Sequence, residues 1–223
     1  MLPALAHVRN WIFDLDNTLY PVSANLFAMI DARIGDYVRS LLNCSPEEAH
    51  RIQKGYFHAH GTTLSGLIAE HGVDPGHYLA DVHDVDMSVL ERNEHLIDAL
   101  ARLPGRKLVF TNGDVPYAGR VLERLGLDAS FEAIHDIHAT AYRPKPHPDA
   151  YQGLLDAFGI DPHESLFVED MARNLRPAKA IGMTTVWLDN GSEQLPGDED
   201  RSFIDFTTGD IGRWLLDILE DNT

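Results

Sequence analysis

Short apolar runs alternate with helical patterns along most of the chain. From Arg106 onward the runs KLVFT, FEAIHDI, SLFVE and TTVWL are short, rich in β-branched or aromatic residues and bounded by polar positions, which predicts buried strands. NWIFD, near the start, reads as the first strand of the same sheet. Between the later runs lie the helical stretches PYAGRVLERLG, HPDAYQGLLDAFG and NLRPAKAIG, each ending in Gly, a common helix terminator. Repeated strand-helix units predict a mostly parallel sheet with helices on both faces, a Rossmann-like α/β core. A short strand, FIDF, and a last helix, IGRWLLDIL, are expected to complete it.

Residues 22 to about 88 break the alternation. Leu26, Met29, Ile30, Ile34, Tyr37, Val38, Leu41 and Leu42 recur at helical spacing after Ser23, which predicts an amphipathic helix rather than a strand. Ser45-Pro46-Glu47-Glu48 then supplies an N-cap, a proline at the first helical position and a capping-box glutamate. Further helices are expected over Thr63 to Glu70 and Pro75 to Val82. The expected organisation is therefore an α/β core, residues 1–20 and 89–223, interrupted by an all-helical insert at 21–88. In an open parallel sheet, ligands bind beyond the carboxyl ends of the strands, where this insert would emerge and could form a lid.

Composition narrows the partners. With 223 residues, 44% of them hydrophobic, the chain has room for one large domain or two small ones. A formal charge of -17 argues against nucleic acids and anionic membranes, which reward clusters of Lys and Arg, but leaves room for a small anionic substrate where positive charge is concentrated locally. The single cysteine, Cys44, cannot form an intrachain disulfide, and MLPALAHVRN is too short in its apolar part for a signal peptide or a membrane span. A soluble, cytoplasmic protein is expected. The acidic stretch SEQLPGDEDR, residues 192–201, reads as a solvated loop.

Chemistry concentrates at the strand ends. The first strand delivers Asp14 and Asp16 with one leucine between them, and two carboxylates this close repel unless a metal ion or a proton relieves the cost. KLVFTNGD places Thr111, Asn112 and Gly113 at the end of another strand, where a hydroxyl and backbone N–H groups can hold phosphate oxygens or, equally, form a turn capping the next helix. RPKPHPD holds Lys145 between prolines that favour a stiff, extended backbone. SLFVEDMARN ends a further strand in Glu169 and Asp170, acids that could also cap the following helix. Each motif has a mundane explanation, yet all four would converge at one edge of a parallel sheet. Hard oxygen donors suit Mg²⁺ better than zinc, and no phosphate-binding glycine loop of the Walker type, GxGxxG or HExxH occurs.

FDLDNT, FTNG, RPKP and VEDMARN, in that order, resemble the four motifs of the haloacid dehalogenase (HAD) superfamily, and the insert after the first resembles its type-1 helical cap. FDLDNTLYP, GYFHAHGTTLSGL, YLADVHDVD and FTNGD further resemble the pyrimidine 5'-nucleotidase-like branch. The resemblance implies a HAD-like fold in which Asp14 attacks phosphorus and Asp16 protonates the leaving oxygen, then activates water. It also implies that Thr111, Lys145 and amides near Asn112 and Gly113 stabilise the transferring phosphoryl group. Mg²⁺ would be held by Asp14, the backbone carbonyl of Asp16 and Asp170, with Glu169 a direct or water-mediated ligand and Asn174 orienting the acidic loop. Dehalogenases of the superfamily lack an aspartate at the position of Asp16, so the chain resembles a phosphatase.

The expected substrate is a small phosphorylated metabolite, first among them a pyrimidine nucleoside 5'-monophosphate. His60, Thr62 and Thr63, in a turn between cap helices, are the specificity candidates, whereas His58, His71, His77 and His83 read as solvated surface. A phosphatase or phosphomutase for another metabolite such as a sugar phosphate would use the same core motifs. A signalling module phosphorylated on aspartate would use the same residue types, but such receivers are shorter and have no helical insert.

Overall fold

The computed structural model describes residues 2–193 and 200–220. Its six strands are β1 (Asn10–Phe13), β2 (Arg106–Phe110), β3 (Ala133–His135), β4 (Ser165–Glu169), β5 (Thr184–Leu188) and β6 (Phe206–Thr208). They form one parallel sheet in the order β3-β2-β1-β4-β5-β6. Phe13 lies opposite both Val109 and Val168, so β1, β2 and β4 end almost in step. Strand order runs outward in opposite directions from β1 and β4, and the crevice at such a reversal is where α/β sheets bind ligands.

The strands are apolar on both faces because helices cover both. Trp11, Phe13, Val109, Leu166, Val168 and Val186 pack on one side with α5 (Glu94–Arg102), α6 (Val115–Leu125) and α9 (Ile211–Glu220). Ile12, Leu108, Phe110, Phe167 and Trp187 pack on the other with α7 (Pro148–Phe158) and α8 (Ala172–Ala180). The fold class is the expected three-layer α/β arrangement, with differences at its margins. FEAIHDI pairs only over Ala133–His135, because Asp136 leaves the ladder to accept the N–H groups of Val115 and Ala139. FIDF is not a strand: Phe203 is buried under the Arg176 guanidinium, and the Asp205 carboxylate accepts from the Thr185 N–H. Pairing starts only at Phe206. Helix α5, capped by the Asn93 side chain and packed on α9, is an element the strand-helix alternation does not assign. Residues 194–199, the middle of the acidic stretch, lie outside the described residues.

Between β1 and β2, ahead of α5, come the four helices α1 (Leu26–Leu42), α2 (Pro46–His60), α3 (Thr63–His71) and α4 (Pro75–Val82). They bury a cluster of their own, including Val38, Ala49, Leu64, Leu67, Tyr78, Leu79 and Val82. Ile137, from the loop after β3, inserts into it and joins the helices to the sheet layer. The Ser45 side chain accepts from the Glu48 N–H with Pro46 at the first helical position, as its sequence predicts. Among the described residues, no helix is long and apolar enough to cross a membrane.

Candidate active site

The site forms because the β1, β2 and β4 tips point the same way. At the end of β1 the Asp14 N–H donates to the Val168 carbonyl, extending the ladder by one residue. Side chains alternate along extended chain, so buried Leu15 turns into the core while Asp14 and Asp16 face the opening. Asn17 then turns the chain with a positive φ of 59°, and its carbonyl accepts from the Asn190 side chain.

Lys145 reaches this place from the loop before α7. It is 1% exposed, and its Nζ donates to Asp14 Oδ1 at 2.7 Å, Glu169 Oε2 at 2.7 Å and the Phe110 carbonyl at 2.8 Å. The RPKP segment is a turn rather than the extended stretch its prolines suggest. Asn112 holds it from both sides, accepting from the Lys145 N–H at 2.9 Å and donating to the Lys145 carbonyl at 3.2 Å. Thr111, fully buried, accepts the Gly113 N–H on its hydroxyl at 2.9 Å, so in this structure the Gly113 amide closes a local turn. Asp114 caps α6, as the plainer reading of FTNGD expects.

Carboxylate oxygens of Asp14, Glu169 and Asp170, all buried, lie within 4.8 Å of one another. Glu169 is committed on both oxygens, Oε2 to Lys145 and Oε1 to the Met171 N–H at 3.1 Å. Burial pushes the Asp14 carboxyl up to about 7, helped by repulsion from Glu169 and Asp16 and opposed by Lys145. Burial, then Glu169 and Asp14, pushes Asp170 up to about 9. Lys145 is held above the usual lysine value: burial lowers it, but the two carboxylates outweigh that. The ammonium gains from the pairing while Asp14 remains hard to ionise, because one cation faces several acids. Asp14, Asp16, Glu169 and Asp170, fully ionised around Lys145, would leave three excess negative charges, of which a divalent cation removes two. Three close hard-oxygen donors fit Mg²⁺; the cluster includes no His or Cys that would favour zinc.

The Asp16 carboxylate stands apart from this trio. Its Oδ1 accepts from the Tyr20 hydroxyl at 2.6 Å and the Tyr117 hydroxyl at 2.5 Å. His83 corrects the surface reading: it is 7% exposed, stacks on the Tyr117 ring at 4.1 Å and 15°, and its Nδ1 lies 3.1 Å from Asp114 Oδ1. Tyr20 could have been suspected from its place four residues after Asp16. Tyr117 and His83 carry no local signal, since their contacts exist only once β2, α4 and α6 are placed.

The specificity candidates behave differently from one another. His60 ends α2, whereas the Thr62 hydroxyl caps α3 and the buried Thr63 hydroxyl donates to the Gln53 carbonyl, so both threonines serve the insert's own structure. The adjoining Gly61 does touch the core: its carbonyl accepts from Arg173 at 3.4 Å, and a Cβ there would meet Pro144 at 2.9 Å. The Arg173 guanidinium also lies 4.0 Å from the centre of the Phe57 ring. Asn174 is buried with its side-chain oxygen unpartnered among the described residues, while its backbone carbonyl accepts from Tyr151.

Solved structures with this fold include a HAD phosphatase from Thermococcus onnurineus, with a TM-score of 0.64, 19% identity and coverage of 96% of this chain and 98% of that one. The putative HAD-hydrolase YfnB from Bacillus subtilis matches with a TM-score of 0.62 at 15% identity, over 96% of this chain and 99% of that one. In sequence, the chain is 25% identical over 191 residues to phosphate metabolism protein 8 of Saccharomyces cerevisiae, covering 78% of this chain and 59% of the relative. It is 31% identical over 103 residues to phosphoglycolate phosphatase of Escherichia coli, covering 44% of this chain and 39% of that enzyme. The chain thus spans less than two thirds of either relative's length. The haloacid dehalogenase-like hydrolase model matches residues 8–182, a span that runs from β1 through the Lys145 loop to the acids of β4, and the chain belongs to that family.

Proposed function

We propose that this protein is a Mg²⁺-dependent phosphomonoester hydrolase working through a phosphorylated Asp14. The observation that carries the reading is the Lys145 bridge, which fixes Asp14 Oδ1 and leaves the other oxygen of that carboxylate for attack. In the first step an Asp14 oxygen forms a bond to phosphorus, the ester P–O bond breaks, and the leaving oxygen takes a proton from Asp16. In the second, water attacks phosphorus as its proton passes to Asp16, and the bond to Asp14 breaks. Lys145 and Thr111 offset charge on the phosphoryl oxygens. Asp14, Asp170 and the Asp16 carbonyl would hold Mg²⁺, with Glu169 acting through water because Lys145 and Met171 already engage it. Bound there, the ion would neutralise charge on the phosphoryl group.

The four helices α1–α4 serve in this reading as the cap, residues 21–88, over a core of 1–20 and 89–223. Their aromatic and histidine side chains near the Gly61 contact, Phe57 and His60, are suited to select the leaving group. Pyrimidine nucleoside 5'-monophosphates are the first class, on the resemblance of FDLDNTLYP, GYFHAHGTTLSGL and FTNGD to that branch. A small phosphorylated acid is the second, supported by the likeness to phosphoglycolate phosphatase. Phosphate release from a panel of nucleotides, sugar phosphates and phosphoglycolate, with and without Mg²⁺, tests both. Turnover in Mg²⁺ that is absent in EDTA and in Asp14→Asn is expected; no release from any monoester, or full activity in that variant, would overturn the reading.

A further inference from the structure

Two buried phenols meet on one oxygen of Asp16. Tyr20 is 2% and Tyr117 1% exposed, and their hydroxyls, 3.4 Å apart, both lie on Oδ1. Neither ring is free to drift. Tyr117 has its backbone N–H on Asp114 Oδ1 at 3.1 Å and its ring face against His83, whose carbonyl accepts from Arg120 at 2.7 Å. A Cβ on Gly113 would meet the Tyr117 ring at 3.0 Å, so the turn after β2 closes on it as well. Tyr20 is the last residue before Pro21, where the chain leaves for the helical insert, and His83 is the C-cap of α4, where the chain returns. One connection between insert and sheet therefore supplies a donor to Asp16, and the other packs against the ring of the second donor.

We infer that Tyr20 and Tyr117 are positioning residues that clamp Asp16 by Oδ1, present Oδ2 as the oxygen that gives and takes the proton, and tie its orientation to the seating of the insert through His83. Two donors on one oxygen restrict the side-chain rotamer and leave the unbonded oxygen as the proton carrier. Because each phenol duplicates the other, removing one hydroxyl leaves a clamp and removing both releases it. The ring packing survives either change, since Tyr→Phe alters no apolar contact. The inference rests on the phosphatase reading for Asp16's role, but the clamp itself is measurable without turnover.

The test is a cycle of Tyr20→Phe, Tyr117→Phe and the double variant, each made in the wild-type and Asp16→Ala backgrounds of the full chain. With Mg²⁺ and the best substrate of the panel, the single variants are expected to retain most activity. The double variant is expected to lose about tenfold to hundredfold in kcat, a part of the roughly 10²–10⁴-fold that general acid-base catalysis supplies, with KM held within about twofold. In the Asp16→Ala background the same Tyr→Phe changes should cost nothing further. A double variant within about twofold of wild type in kcat, or an equal loss recurring without Asp16, would overturn the inference. Thermal unfolding of the same set in EDTA reads the clamp independently. Midpoint shifts of the Tyr20→Phe/Tyr117→Phe double variant and of Asp16→Ala that fail to add support it; strictly additive shifts overturn it. If the wild type hydrolyses no monoester, the phosphatase reading fails, and the unfolding cycle still decides the clamp.

Discussion

Replacing Asp14 by Asn is predicted to stabilise the metal-free protein while abolishing its activity. The folded carboxyl is pushed from 3.8 up to about 7, so ionising it at pH 8 costs about 4 kcal/mol, at roughly 1.4 kcal/mol for each pH unit. The amide keeps an oxygen for Lys145 but loses charge assistance worth about 1–2 kcal/mol. The difference leaves the variant ahead by about 2 kcal/mol, or about 4–8 °C in a chain of this size. The sign follows from linkage: with the folded value raised, the folded state binds the proton more tightly, so wild-type stability falls as pH rises from about 4 to about 7. The variant's advantage is therefore absent near pH 4, grows across that window and is flat above it. Thermal or urea unfolding in EDTA between pH 4 and pH 8.5 measures it. In Mg²⁺ the order should shrink or reverse, because the ion binds the wild type more tightly. A variant no more stable than wild type at pH 8.5 in EDTA, or an advantage independent of pH, would refute the claim that crowded buried acids control this site.

Asp170→Asn should lower Mg²⁺ affinity at least about tenfold, read from the metal-dependent rise in unfolding midpoint; an unchanged titration would remove Asp170 from the proposed ligand set. Lys145→Met leaves buried acids without their cation and should cost about 3–5 kcal/mol at pH 8 in EDTA, and less at pH 5, where the raised value of Asp14 keeps that group neutral. Urea titrations at both pH values check it, and an equal loss at both would mean the pairing is not the cause. Gly61→Ala combines a φ of +85° with a contact to Pro144 at 2.9 Å, and should cost about 1–2 kcal/mol and expose the segment around it to limited proteolysis.

The centre of the fold was readable in the sequence because β1, β2 and β4 are covered on both faces, which writes them as uninterrupted apolar runs. The margins were not. At β3 and β6 three residues pair, and what surrounds them, Phe131, Phe203 and Ile204, is apolar for reasons of helix packing rather than strand membership. Helix α5 has Leu96, Ala99 and Leu100 at helical spacing, and an alternation keyed to strand runs passed over it. In the site, acids and a lysine at strand ends are local signals, so Asp14, Lys145, Glu169 and Asp170 could be named before being seen together. The donors to Asp16 could not, because Tyr117 approaches from α6 and is held by His83 from α4. Nor could the sequence say that Thr63 turns inward, since that depends on the Gln53 carbonyl of a neighbouring helix.

The position of β1 also bears on how the molecule is made. Its neighbours in the sheet are not its neighbours in synthesis: Asn10 pairs with Arg106 on one side and Ser165 on the other. A nascent chain emerging from the ribosome therefore carries the greasy NWIF segment unpartnered through the whole of the helical excursion, and the sheet's middle closes only after β4 has been translated. Non-local pairing of this sort slows folding and lengthens exposure of aggregation-prone surface. Fragments ending before Ser165 should accordingly be insoluble or unstructured around residue 14, however well their helices form, and chaperone demand should fall sharply once β4 can dock.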